Sequence, residues 1–130
     1  MNKVRGYIFS RPFMGERVPQ HVQNLVIRDY CNRNGLQYLL SATEYAMADC
    51  HLIHEHVMNE LTEVDGVVAY SIFQFPEKAE KRQRIYDKII GMKKTYHFAV
   101  EGLKAENKKE CDRIEVLWQV RQTLPDCYRY

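Results

Sequence analysis

The sequence predicts an α/β domain, a three-layer α/β/α sandwich around a mainly parallel four-stranded sheet, and three observations predict it. Four short apolar strings rich in aromatic and β-branched residues recur along the chain. Each is followed by a segment with helical apolar spacing, and Gly or Pro punctuates the joins. Strings that are apolar throughout suit strands buried on both faces, and single helices between strands require right-handed crossovers and hence parallel pairing.

The first string, Val4 to Ser10 (VRGYIFS), reads as a buried strand. Pro12, Gly15 and Pro19 then punctuate a loop, and Pro19 suits the first turn of a helix whose apolar face carries Val22, Leu25, Val26 and Tyr30. Asn34 and Gly35 stop it. Leu36 to Ala42 (LQYLLSA) is the second strand, and Cys50 to Leu61 recovers helical spacing through Leu52, Ile53, Val57 and Leu61. Asp65-Gly66 introduces the third strand, Val67 to Phe73 (VVAYSIF), and a charged helix carrying Ile85, Ile89 and Ile90 follows Pro76 and ends at Gly91. Tyr96 to Val100 (YHFAV) is the fourth strand and Glu101-Gly102 a turn. Lys108 to Leu124 forms a last helix, closed by Pro125, with Ile114, Leu117 and Trp118 on its apolar side. The 130 residues make one domain, with its core over about 4–124 and a short tail at 125–130.

Nineteen Lys and Arg against seventeen Asp and Glu leave a net charge of +2, too small for the footprint of a nucleic-acid backbone, so no nucleic-acid partner is expected. The basic stretch Lys78 to Arg84 is interleaved with Glu80 and reads as a solvated helix face. Cys31, Cys50, Cys111 and Cys127 lie far apart without metal-ligand spacing, so free thiols are expected. No apolar run is long enough for a membrane span; a cytoplasmic protein without a membrane partner is expected.

In a sheet of this kind ligands bind beyond the carboxyl ends of the strands, where the strand order reverses. The loops after the first and third strands therefore carry the candidate site. Ser10, Arg11, Glu16, Arg17, Gln20 and His21 lie at or just before a helix N-terminus, which favours an anion. Arg11 and Arg17 would grip it, or else pair with Glu16 and face water. Ser10 is a candidate nucleophile, or else a turn former. Glu44 and Tyr45 follow the second strand, and Tyr70, Ser71 and Gln74 follow the third. In this reading Ser10, Glu44 and Tyr70 are catalytic, while Arg11, Arg17, Gln20, Tyr45, Ser71, Gln74 and Glu101 bind an anionic small molecule. The cluster Cys50 to His56 (CHLIHEH) puts His51, His54 and Glu55 at helical spacing, but Leu52, Ile53 and Val57 claim the buried side. Its histidines are therefore read as helix flank, and no metal is expected. The residues name no cofactor.

Two resemblances follow from these residues. The outline from YIFS through the helix bearing Gln20 and Gln23, DYCNRNGLQ, the helix ending MNEL, VDGVVAYS and HFAVEGL resembles the catalytic domain of serine recombinases of the resolvase and invertase type, over about residues 5–103. That implies a resolvase-like fold, with a flavodoxin-like one as the alternative, and it places Ser10 where that family carries its DNA nucleophile. The family's arginine two residues before the serine and its Asp-Arg-x-x-x-Arg pattern after the third strand read Ile8 and SIFQF here. Losing those guanidinium groups removes charge stabilisation on which phosphoryl transfer depends.

Over nearly the whole chain, RGYIFSRPFMGERVPQHVQNLVIRDYC, LQYLLSATEYAM, DGVVAYSIFQFPE, HFAVEGL and VRQTLP resemble the sporadic carbohydrate cluster protein family, encoded among bacterial surface-polysaccharide and lipopolysaccharide biosynthesis genes. The function this implies is binding or processing of a sugar, sugar nucleotide or sugar phosphate. The alternatives are a noncatalytic partner or regulatory module, which would assemble as a homo-oligomer through Trp118 and the terminal aromatic residues, and serine-nucleophile chemistry on a DNA phosphodiester. Trp118 itself reads better as core than as interface.

Overall fold

Residues 2–9, 18–44, 52–76 and 78–127 are described by the structure, a computed structural model; at 40, 44, 52, 53, 56 and 122–127 it describes the backbone course alone. The first strand, β1 (Asn2–Phe9), lies inside the sheet, with Val4, Tyr7, Ile8 and Phe9 all buried and a partner strand on each side. It runs parallel to β2 (Leu36–Glu44), from Asn2 opposite Leu36 to Phe9 opposite Glu44, and parallel to β3 (Gly66–Ala69) on its other edge. The register with β2 shifts between Arg5 and Gly6. Gly6 permits the approach, since a Cβ there would run into the Ser41 hydroxyl and the Tyr38 ring.

Beyond β3 lie β4 (Thr95–Phe98), also parallel, and β5 (Leu103–Ala105), antiparallel at the far edge, giving the order β2-β1-β3-β4-β5. The chain moves from β1 outward to β2 and returns past β1 to β3, so the strand order reverses between β1 and β3. The helix α1 (Gln20–Arg33) covers one face, packing Ile27, Tyr30 and Cys31 on Val4, Ile8 and Val68. On the other face α2 (Leu52–Asn59), α3 (Ala79–Gly91) and α4 (Lys108–Cys127) enclose Tyr7, Phe9, Val67, Tyr96 and Phe98 with Val57, Tyr86, Ile89, Ile114 and Trp118. The three-layer architecture is as the sequence predicts.

Four details correct that prediction. The sheet has five strands, because the chain after Glu101-Gly102 folds back onto β4; Gly102, with φ 64°, supplies the left-handed turn. The third strand ends at Ala69, and Ile72–Gln74 form a 3-10 turn, because Ser71 accepts the N–H of Phe73 and breaks the extended course. The helix after the second strand ends at Asn59, where the chain tightens into a 3-10 turn, Glu60–Thr62. The last helix continues through Pro125 to Cys127; a proline this close to the end costs one hydrogen bond, with no long stretch beyond it to disrupt.

Candidate functional site

The carboxyl ends of β1 and β3 are tied together by two glutamines. Gln23, fully buried on α1, accepts the Phe9 N–H through Oε1 at 3.0 Å and donates through Nε2 to the carbonyls of Phe9 and Val18 at 2.8 and 2.9 Å. Gln74, equally buried, donates its Nε2 to Gln23 Oε1 at 2.7 Å and accepts the Tyr70 N–H at 3.1 Å. One amide thus grips both backbone groups of the last residue of β1, and a second carries the contact to the turn after β3. The carboxyl end of β1 thus meets the turn leaving β3, at the switch point of the sheet. What joins them is a filled, mutually satisfied polar contact between buried side chains.

A second contact holds the same turn from its far side. Glu101, between β4 and β5, accepts the Ser71 hydroxyl at 2.8 Å through Oε2 and the Ile72 N–H at 3.0 Å through Oε1. Burial raises its carboxyl above the ordinary range, and these two hydrogen bonds oppose that rise. Ile72, Gln74 and Phe75 all point inward, so the segment Ser71–Phe75 presents apolar and amide groups where the recombinase pattern carries guanidinium groups. Ile8 is likewise buried beneath α1.

The predicted site residues divide accordingly. Ser10, Arg11, Arg17 and Tyr45 lie outside the described residues, as does Glu16. Tyr70, Ser71, Gln74 and Glu101 are brought together at the end of β3, where their polar groups serve the fold's own hydrogen bonds. Glu44 ends β2 as the register partner of Phe9, which puts its backbone beside the exit of β1. Gln20 is exposed at the start of α1 and lines a different hollow of about 380 Å³, between α1 and β2, with Asn24, Arg28, Tyr38, Ser41 and Thr43. His21 is exposed. Gln23 was missed as a site residue. Its only signal was its position in a helix otherwise apolar on that face, which marks a buried amide that needs partners.

Two other readings are revised by packing, and the core reading of Trp118 stands. His54 is buried in the core rather than on the helix flank, with Nε2 2.9 Å from the Tyr96 hydroxyl and its ring against Tyr7 and Phe75. Its neighbour His51 lies outside the described residues. Arg82, within the stretch read as a solvated face, is buried. It bonds Glu115 through Nε at 2.8 Å and Nη2 at 2.9 Å, and lies 4.4 Å over the Trp118 ring. Trp118 is core, with Nε1 donating to the Ile72 carbonyl at 3.2 Å.

The arrangement is a resolvase-like α/β fold. The structure is similar to that of the N-terminal catalytic domain of TP901-1 integrase, with a TM-score of 0.60 at 12% identity, covering 96% of this chain and 99% of that one. It is also similar to a resolvase family site-specific recombinase from Streptococcus pneumoniae, with a TM-score of 0.65 at 10% identity, covering 95% of each chain. At such identities the likeness is one of fold, and the resolvase-like α/β fold is what it shows. No protein-family model and no curated protein matches the sequence.

These findings correct the functional expectation. A role in surface-carbohydrate synthesis with a sugar-derived ligand has no support, and the sporadic carbohydrate cluster family is not shown. The neighbours are an integrase and a site-specific recombinase, so the expectation that nucleic acid is no partner is withdrawn. That expectation rested on a net charge of +2, which averages the whole chain and does not report the potential at one site. No helix among the described residues is long and apolar enough to cross a membrane.

Proposed function

We propose that the chain is a DNA-directed domain of the serine-recombinase type, with Ser10, directly after Phe9, as its nucleophile toward a phosphodiester. The observation that carries this reading is the near end-to-end correspondence in fold with an integrase catalytic domain and a resolvase family recombinase, which leaves almost no part of either chain unmatched. The clasp of Gln23 and Gln74 on Phe9 supports it, because it fixes the direction in which the chain leaves β1 and hence where the next residue starts. In the reaction the serine oxygen bonds to phosphorus, a deoxyribose oxygen departs, and the serine's proton ends on the leaving oxygen. Glu44, at the same strand ends, is assigned to proton handling and Arg11 and Arg17 to the phosphate. Tyr70, Ser71, Gln74 and Glu101 act as positioning residues.

The buried apolar and amide groups at Ile8 and Ser71–Phe75 favour a second reading, in which the fold is kept as a noncatalytic module of a DNA-processing assembly. One experiment separates the two. Duplex DNA with a nick or a bridging phosphorothiolate is incubated with the protein and with Ser10→Ala, and the products are run under denaturing conditions while DNA binding is followed by anisotropy. A covalent adduct with the parent protein, absent with Ser10→Ala, is the expected result. Binding without adduct selects the noncatalytic module, and neither binding nor adduct overturns both.

A further inference from the structure

The opposite end of the sheet holds a second cavity, about 450 Å³, that the Ser10 end does not share. Its lining includes Asn2, Leu36 and Thr95, the first residues of β1, β2 and β4, together with Tyr30, His97, Lys104, Glu106 and Arg113. The volume is that of a small-molecule site. Within it, His97 is 92% buried, as its 8% exposure states, and its Nδ1 lies 2.8 Å from the Tyr30 hydroxyl. Asn34 steadies that tyrosine by donating to its carbonyl at 2.8 Å.

Among the described residues the Tyr30 hydroxyl has no other partner; with that hydroxyl as donor to Nδ1, a neutral ring carries its hydrogen on Nε2. Burial raises the Tyr30 hydroxyl and lowers His97 to about 4, which keeps both groups neutral near pH 7. Among the described residues no protein atom accepts from Nε2. Nor is it sealed away, since the single fully enclosed side-chain polar atom without a partner there is Arg5 Nε. In that tautomer the histidine offers a buried N–H donor to whatever enters.

The lining's two cations, Lys104 and Arg113, stand among two carboxylates, Glu106 and Glu110, and among the described residues only Lys104 is held in an ion pair. Lys104 pairs with Glu106 at 3.1 Å, and Glu106 also accepts the Thr95 hydroxyl at 3.2 Å. Glu110 accepts the Glu106 N–H at 3.1 Å. Arg113, exposed at the rim, has no ion pair among the described residues. We propose that this cavity binds a small monocarboxylate, one oxygen on His97 Nε2–H and the carboxylate plane on the Arg113 guanidinium. One forked cation and one neutral N–H match the two oxygens of a planar monoanion. A phosphate dianion would bring a second negative charge beside Glu106 and Glu110.

The test is an NMR titration of the isotope-labelled full chain with acetate, with acetamide and inorganic phosphate as controls, in the parent protein and in Arg113→Ala and His97→Phe. The expected result is saturable shifts at His97, Leu36 and Ile114 with acetate, and a long-range imidazole spectrum showing hydrogen on Nε2. At least fivefold weaker binding is expected for Arg113→Ala, and fivefold or weaker binding for both controls. Because Arg113 is exposed, its substitution keeps the fold even where His97→Phe does not. The proposal is overturned by non-saturating shifts, by hydrogen on Nδ1, by Arg113→Ala binding as the parent does, or by acetamide or phosphate binding as tightly as acetate.

Discussion

Replacing Gln23 by Leu removes the clasp while keeping an apolar side chain of similar length. The change removes the acceptor that the Phe9 N–H and the Gln74 amide share, and withdraws the donor shared by the Phe9 and Val18 carbonyls. Each orphaned buried donor costs about 1–3 kcal/mol, and the carbonyls, with a second lone pair each, cost less. Burial of the added apolar surface returns about 1–2 kcal/mol. The net loss expected is about 2–4 kcal/mol, a large share of the ~5–15 kcal/mol that holds a domain of this kind together. Urea unfolding measures it, with an unchanged slope showing that the midpoint shift is one of stability. The double variant Gln23→Leu/Gln74→Leu removes both ends of the 2.7 Å contact, so it should cost about 1 kcal/mol less than the sum of the singles. A loss below about 0.5 kcal/mol for Gln23→Leu, or strict additivity in the double variant, would refute the idea that these amides carry the β1 exit.

Three further outcomes follow from the structure. His97 is held at about 4 by burial first and by nearby Lys104 second, against an ordinary 6.5, so between these values the unfolded chain binds a proton that the folded chain refuses. Its contribution is complete above pH 6.5 and is lost as the pH falls towards 4, by about 3 kcal/mol at ~1.4 kcal/mol per tenfold change; the difference in pH slope between parent and His97→Gln in urea titrations measures it. Arg82→Ala leaves Glu115, which also accepts the Tyr86 hydroxyl, without its cation and uncovers Trp118, at a cost of about 2–3 kcal/mol once the partial exposure of Glu115 is allowed for. Arg82→Lys should recover less than half of that in the same unfolding assay, because an ammonium does not reproduce the two-pronged contact. Gly66→Ala drives a Cβ into the Thr95 carbonyl of the neighbouring strand, which cannot swing aside as a side chain would; a loss of about 1–3 kcal/mol by thermal or urea unfolding is expected.

The correction of function has a physical root. The long strings that suggested a carbohydrate pathway are mostly strand and helix interior, and such residues report on packing before they report on a ligand. Net charge was equally uninformative, since Arg82 is spent inside the core and Lys104 in a local pair. Of the residues assigned to a pocket at the end of β3, Tyr70, Ser71, Gln74 and Glu101 do meet, yet their polar groups answer one another.

Periodicity determined by itself the alternation of apolar strands and amphipathic helices, and with it the parallel sheet. Burial on both faces demands continuous apolar strings, and a short crossover has one handedness. Local turn chemistry at Asn34-Gly35 and Asp65-Gly66 likewise placed the element ends without reference to anything distant. Only the tertiary structure decided that Leu103–Ala105 is a strand, because three residues acquire that state from the edge of β4 against which they lie. It alone decided the partners of Gln23, His97 and Arg82, which lie 51, 67 and 33 residues away in sequence at Gln74, Tyr30 and Glu115. A buried polar group must find a partner, and the chain's path through space decides which one it finds.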